Sequence, residues 1–273
     1  MKPVTSPELA TVRDLALAAG TMLLDSLGKV ESVEQKTATE FVTDVDRKVE
    51  DMLIVGLRDR FPGEAILAEE SGNTTGTGSR TWYVDPLDGT TNFAHGYPFF
   101  AVSMACGDAD GLRLAAVYAP ALDEFYLAER GCGAMVEYPR QGGGRPLTPR
   151  VPVRLQKALL ATGFPYVRDE TVDRNTRLVA DFLKASCHGV RRGGSAAVDL
   201  CHVAAGKLDG YWEWRLRPWD TAGGTLVARE AGAVVTEFSG RATPIPTDHI
   251  LAAAPGLHEE MKNMIAPVLA ETT

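Results

Sequence analysis

One stretch constrains this chain more than any other: Trp82-Tyr83-Val84-Asp85-Pro86-Leu87-Asp88-Gly89-Thr90-Thr91-Asn92-Phe93. Three apolar residues read as a strand that stops at Pro86. Two carboxylates flank the proline, and a glycine and two threonines then open a helix. Pro86 fixes the chain direction so that Asp85, the Leu87 carbonyl and Asp88 can converge on one point. Oxygen ligands of this kind suit hard divalent cations such as Mg²⁺. Gly89 and Thr90 would offer amide N–H groups at a helix N-terminus, where a phosphate binds well. Ligands and a phosphate cradle in one turn point to metal-assisted phosphate chemistry. A polar turn with no chemistry is the competing reading, since Asp, Pro and Gly are ordinary turn residues.

Charge supports the metal. The balance of 28 basic and 36 acidic residues, net −8 with a pI near 5.2, argues against a nucleic-acid footprint. It is also awkward for an anionic substrate unless bound cations invert the local field. A length of 273 residues with 45% hydrophobic content allows one large or two interlocked domains. The cysteines Cys106, Cys132, Cys187 and Cys201 are widely spaced without Cys-x-x-Cys, so buried structural thiols are expected rather than a zinc site or disulfide framework. The N-terminus shows no basic region with an apolar core, and a cytoplasmic protein is expected. No histidine lies at ligand spacing, and no Gly-x-x-x-x-Gly-Lys-Ser/Thr loop is present.

Along the chain, Ser6 caps a first helix with Pro7 at its first position, and Leu9, Val12, Ala16, Ala19 and Leu23 mark its buried face. Residues 36–46 read as extended and lead to a helix capped by Thr43, with Asp46 at its third position. Ala65–Ala68 is a buried strand delivering Glu69 and Glu70, and residues 71–79 are expected as a surface loop. Strands follow at 97–105, 112–118 and 125–128, with turns at 131–133 and 141–145. From about residue 155 helices and strands alternate: a strand at 159–165, a helix at 172–184, and Arg191-Arg192-Gly193-Gly194-Ser195-Ala196-Ala197 opening another helix. A strand at 208–214 carries Glu213, Asp220 starts a helix ending at Gly232, and strands at 234–235 and 250–253 precede a last helix at 256–269. In the 208–214 strand, Tyr211, Glu213 and Arg215 are expected on one face and Trp212 and Trp214 on the other.

The central stretch resembles the first signature of the inositol monophosphatase family, W-x-x-D-P-[IL]-D-G-T-T-N-F. The family's second signature is matched by Pro218-Trp219-Asp220-Thr221-Ala222-Gly223-Gly224 with Glu230-Ala231-Gly232, and a third element by Glu69-Glu70-Ser71. The resemblance covers about residues 9 to 265 and implies a layered α-β-α-β-α sandwich of α+β class. Residues 1–150 would form a part with a large antiparallel sheet and the metal motif, and residues 151–273 an α/β part completing the site. It implies a Mg²⁺-dependent, lithium-sensitive phosphoric monoester hydrolase, commonly a homodimer. Glu69, Asp85 and the Leu87 carbonyl would bind a first Mg²⁺, and Asp85, Asp88 and Asp220 a second. A third, weaker site would lie near Asp46. Glu69, Asp46 and Thr90 would be catalytic, with Thr90 hydrogen-bonded to Asp46. Gly89 and Thr90 would hold phosphate, and Asp88, Gly194, Ser195, Ala196 and Glu213 the substrate. Inositol 1-phosphate is the expected ester. Histidinol phosphate, a fructose-1,6-bisphosphate-like sugar bisphosphate and a 3′-phosphonucleotide are alternatives, and a chiefly macromolecule-binding protein of this fold is a third class. Arg215 and Arg217, expected near the pocket mouth, would disfavour the cationic histidinol phosphate. No nucleic-acid or membrane partner is expected.

Overall fold

The computed structural model describes residues 6–29, 33–35, 41–150, 154–245 and 248–270. Part of the extended 36–46 segment and the boundary expected at residue 150 touch positions outside these. Helix α1 (Pro7–Ser26) begins where the Ser6 hydroxyl accepts the Leu9 N–H at 3.1 Å, with Pro7 in the first position. β1 (Val33–Gln35) and β2 (Phe41–Thr43) pair antiparallel. α2 (Asp44–Arg60) starts from the Thr43–Asp46 capping box read from sequence. Then come β3 (Ala65–Ala68), β4 (Gly72–Thr74), β5 (Thr81–Asp88), the short helix α3 (Thr90–Ala94), β6 (Ala101–Asp108), β7 (Gly111–Ala119), β8 (Glu124–Glu129), β9 (Gly133–Glu137) and β10 (Gly144–Pro146). The second half runs β11 (Leu159–Thr162), α4 (Glu170–Lys184), β12 (Gly189–Arg191), α5 (Ala196–Ala204), β13 (Gly210–Leu216), α6 (Pro218–Ala231), β14 (Val234–Thr236), β15 (Asp248–Ala253) and α7 (His258–Ala270).

The large sheet has the order β10-β9-β8-β7-β6-β5-β3-β4 and is antiparallel except for the β3–β5 pair. The smaller has the order β12-β11-β13-β15-β14, with β11 parallel to both its neighbours. Side chains alternate across each strand, so one strand feeds two cores. On β6, Val102, Met104 and Cys106 pack under α1 and α2, against Leu9, Val12 and Leu53. Ala101 and Ala105, on the other face, join Val198 and Leu200 of α5 and Ala222 and Leu226 of α6. That middle core also takes Tyr211, Ile250 and Ala252 from the small sheet. The small sheet's far face puts Trp212, Trp214 and Leu251 against Phe182 of α4 and Met261 of α7. The layers are therefore α1/α2, large sheet, α5/α6, small sheet and α4/α7, the expected sandwich.

Burying α6 between α5 and the large sheet needs very close approach, and Gly223-Gly224 supplies it. A Cβ on Gly223 would lie 2.6 Å from Ser103 Oγ, and one on Gly224 2.5 Å from Leu200 Cβ. This packing fixes where α6 starts, and with it Asp220.

Several sequence expectations are corrected. β5 does not stop at Pro86. It continues to Asp88 through a register shift between Asp85 and Asp88, a bulge being where a strand tolerates proline. Residues 71–79 are not wholly loop, since β4 pairs with β3. Residues 97–100 are not strand, and β9, β10 and β12 are short strands that weak patterning concealed. Asp220 sits at the third position of α6 rather than its start. Cys106 and Cys201 are buried as expected, but Cys132 is exposed.

β8 and α5 are tied together by a charged network. Glu124 accepts from the Tyr126 hydroxyl at 2.5 Å, contacts His202 Nε2 at 3.1 Å and pairs with Lys207. Burial would raise the Glu124 pKa, but these partners outweigh it and hold the carboxyl down at about 2, from an ordinary 4.5. A depressed carboxylate contributes stability above its unfolded pKa and loses it as pH falls through the folded value. Glu124→Gln should therefore lower stability near pH 7 by about 1.5–3 kcal/mol, the range for hydrogen bonds to charged groups. Thermal melts should show the gap to wild type narrowing as pH drops from about 4.5 towards about 2. An unchanged gap would show that the network carries no charge-dependent stability.

Candidate active site

The register shift in β5 brings the motif together. With Pro86 at the bulge, the Leu87 N–H turns back onto Asp85 Oδ1 at 2.9 Å. Gly89 takes a left-handed φ of 99° and the chain turns into α3. Thr90 Oγ1 then lies 3.0 Å from Asp46 Oδ1 and 3.1 Å from the Leu87 carbonyl oxygen, so its proton can serve either acceptor. Asp46 is buried and held in place from its other oxygen. There Oδ2 accepts the Thr43 N–H at 2.9 Å and the Thr43 hydroxyl. Burial nonetheless raises the Asp46 pKa against these bonds, making it a better proton acceptor than an exposed aspartate. The side chain that caps α2 is thus also the partner of the Thr90 hydroxyl.

Glu69, Asp85, Asp88 and Asp220 line one cleft of about 1220 Å³, shared with Thr90 and Glu213. They reach it from the end of β3, from β5 and from the start of α6. Among the described residues no three acidic, imidazole or thiol groups close into a compact metal-binding cluster. The acids do act strongly on one another. Asp85 is buried, and its pKa is raised well above normal by burial and then by Glu69, Asp88 and Asp220. Asp88 is pushed up to about 6 by burial, opposed by bonds from Ser195 Oγ at 2.6 Å and the Ala197 N–H at 2.7 Å. Asp220 is likewise raised by burial, although it accepts the Arg217 N–H at 2.6 Å. All the donors offered to the cleft by these groups are oxygens, and their negative charge is in excess. A divalent, hard cation fits both features.

The residues expected to hold substrate are also found at this cleft. Gly194 and Ala196 line the cleft, and Ser195 caps α5 while bonding Asp88. Glu213 lines it from β13, accepts from the Tyr211 hydroxyl and has its pKa raised to about 7, chiefly by burial. The expected face-sharing of Glu213 and Arg215 fails. The ladder shifts between Trp214 and Leu216, Arg215 adopts φ 60°, and its guanidinium pairs with Asp169 instead. Arg215 and Arg217 both line the cleft, as expected, and so does Arg192, which sequence reading passed over.

Three further residues escaped the sequence. Glu50, buried on α2, accepts the Glu70 N–H at 2.8 Å and the Ser71 N–H at 2.7 Å, fixing the turn that carries Glu69. Its signal was legible in principle, because Asp46 and Glu50 are acids four apart beside the buried positions Val49 and Leu53. Asn92 donates to the Phe99 carbonyl at 2.6 Å and the Gly193 carbonyl at 2.9 Å, tying α3 to the approach of α5. Tyr166, on the loop before α4, is 47% exposed as a residue. It lines the same cleft, and its pKa is raised by burial and then by Asp88, Glu69, Asp220 and Asp85.

Known proteins place this architecture. The inositol monophosphatase family model matches residues 5–272. A putative Nus factor SuhB of Neisseria meningitidis serogroup B is 38% identical over 264 residues, covering 96% of this chain and 98% of that protein. The inositol-1-monophosphatase of Synechocystis is 39% identical over 272 residues, covering 97% and 92% respectively. The crystal structure of the extragenic suppressor protein SuhB from Bartonella henselae superposes with a TM-score of 0.87 at 34% identity, over 95% of this chain and 98% of that one. The chain belongs to the inositol monophosphatase family. It is accordingly a phosphoric monoester hydrolase of a Mg²⁺-dependent superfamily.

The raised carboxylates give a stability test. A carboxyl whose folded pKa is raised loses its contribution as pH rises through that value, so without cations the site weakens the fold on the alkaline side. Asp220→Asn should therefore raise the melting temperature of chelator-treated protein at pH 8, and the gain should shrink at pH 5. A lower melting temperature at pH 8 would mean that the carboxylates do not repel one another.

Proposed function

We propose that the protein hydrolyses the phosphate monoester of a small polyol, with inositol 1-phosphate as its best substrate. The observation that carries this reading is the meeting of four carboxylates with the Thr90–Asp46 pair and Glu213 around one cleft. In this reading Glu69, Asp85, the Leu87 carbonyl, Asp88 and Asp220 hold two Mg²⁺ ions, with a third, weaker site towards Asp46. Bound Mg²⁺ would supply charge neutralisation and Lewis acidity at the attacking and leaving oxygens. The chain's own residues position and move protons. The Gly89 and Thr90 amides hold phosphate oxygens. Thr90 Oγ1 takes the proton of the attacking water and passes its own to Asp46 Oδ1. The P–O bond to the alcohol breaks as the new one forms, and no covalent enzyme intermediate is required. Residues 1–150 and 151–273 contribute the two walls, and the same reading makes the protein cytoplasmic and a homodimer.

Inositol is favoured over histidinol phosphate by Arg192 and Arg217 on the cleft wall, which oppose an incoming ammonium. Arg215 contributes less, because Asp169 engages it. A second reading, macromolecule binding, draws on the Nus factor name of the Neisseria relative. Intact acids at every expected ligand position favour turnover instead.

Phosphate release from a panel of monoesters should depend on Mg²⁺ and run fastest with inositol 1-phosphate. Preference for histidinol phosphate would replace the substrate assignment, and no release from any ester would leave the binding reading. Asp88→Asn and Asp220→Asn should each remove most turnover while the far-UV spectrum stays unchanged, and wild-type-like rates at saturating Mg²⁺ would refute the two-ion site. Li⁺, close to Mg²⁺ in size with half its charge, should inhibit at millimolar levels, and indifference to it would point to the sugar-bisphosphate alternative.

A further inference from the structure

Glu213 has one partner on the protein side: Tyr211, two residues back on the same strand face, donates its buried hydroxyl to Oε2. Among the described residues no other hydrogen bond to the Glu213 carboxylate occurs, so Oε1 is left to the cleft it lines. Gly163, the residue that follows β11, also lies against this carboxylate. A Cβ on Gly163 would overlap both oxygens and the carboxyl carbon of Glu213. Gly163 is not there for a left-handed turn, since its φ is not positive. It is there for space.

Neither side of this arrangement can yield easily. The Asn175 amide donates to the Gly163 carbonyl at 2.6 Å. Asn175 Oδ1 in turn accepts the Trp212 indole N–H at 2.7 Å, and Thr162 Oγ1 donates to the Trp212 carbonyl at 2.8 Å. Asn175, Thr162, Trp212 and Tyr211 are all buried. β11 and β13 also pair directly, with Ala161 opposite Tyr211 and Thr162 opposite Trp212. A carboxylate built on paired strands, packed closely against a glycine and bonded to a buried phenol, has little freedom of rotation.

We propose that Gly163 and Tyr211 are positioning residues that clamp Glu213, aiming its free oxygen at a hydroxyl of the leaving alcohol, and that this clamp makes the enzyme select polyols over other monoesters. The proposal rests on the phosphatase reading and on Glu213 as its substrate contact. It adds the two residues that set the direction of that contact. A rigid acceptor discriminates because an ester with no hydroxyl at that place leaves the carboxylate unpaired in a desolvated site. The clamp acts on binding of the alcohol, not on the phosphorus, so it should show in KM more than in kcat.

The test compares inositol 1-phosphate with 4-nitrophenyl phosphate, which carries no alcohol hydroxyls. Tyr211→Phe should raise KM for inositol 1-phosphate about 3- to 10-fold, within the range for the net contribution of one typical hydrogen bond, and change kcat by less than about 2-fold. KM for 4-nitrophenyl phosphate should move less than KM for the polyol ester, lowering the selectivity ratio by the same 3- to 10-fold. Gly163→Ala, which displaces the carboxylate sterically, should lower that ratio further. The double variant Tyr211→Phe/Glu213→Gln should be no worse than Glu213→Gln alone, because both act through one contact. Equal losses on both substrates, or additive losses in the double variant, would overturn the clamp and leave Tyr211 a core residue. Calorimetric binding of inositol 1-phosphate to the same variants reads the clamp independently of turnover. Absent hydrolysis with Tyr211-dependent binding would sink the phosphatase reading alone, and Tyr211-independent binding would sink the clamp.

Discussion

The repulsion among Glu69, Asp85, Asp88 and Asp220 is the constraint on which the cleft depends. Burial and then the neighbouring acids raise the Asp85 and Asp220 pKa values well above normal, so their charged forms weigh against a domain that is stable by only roughly 5–15 kcal/mol. Rigid surroundings hold them in place nonetheless. Asp85 is fixed by the Leu87 N–H, Asp88 by Ser195 and Ala197, Asp220 by the Arg217 N–H, and the turn bearing Glu69 by Glu50. None of these holding groups is a cationic side chain: Asp85, Asp88 and Asp220 accept from backbone amides and the Ser195 hydroxyl, and Glu50 is itself a carboxylate that accepts the Glu70 and Ser71 N–H groups. The fold therefore keeps charge in excess at the site, and a cation is the natural complement.

Bringing those acids from three elements to one cleft is the work of the layers. α6 carries Asp220 and can lie in the middle layer only because Gly223 and Gly224 let it approach Ser103 and Leu200. Ser195 caps α5, and the Glu124 network ties that helix back to β8. Stability and site geometry thus share the same contacts, and changes deep in the middle core should be felt at the cleft.

Much of this was legible in the sequence because the decisive signals are local. Ser6-Pro7, the Thr43–Asp46 capping box and the periodicity of α1 and α2 are short-range features, and each element forms where they say. The motif residues of the cleft were found because their types and spacing are specific, and their assembly followed from the family likeness rather than from pattern. What the sequence hid is mostly non-local. The passage of β5 through Pro86 depends on its pairing with β6, and the diversion of Arg215 to Asp169 depends on a bulge in β13. The role of Gly163 follows from a carboxylate fifty positions further along the chain. Tyr166 gave no signal, as a lone aromatic on a loop reads as surface until its neighbours are known.

The central claim is that the four carboxylates are one cation site and not four separate acids. Calorimetric titration of Mg²⁺ into chelator-treated protein at pH 7, repeated in buffers of different ionisation enthalpy, tests it most directly. Ligands whose pKa values are raised must give up protons as the cation binds. The account predicts at least two Mg²⁺ bound per chain with net proton release, and weakened binding with Asp85→Asn. Binding that releases no protons, or that is unaffected by Asp85→Asn, would contradict it.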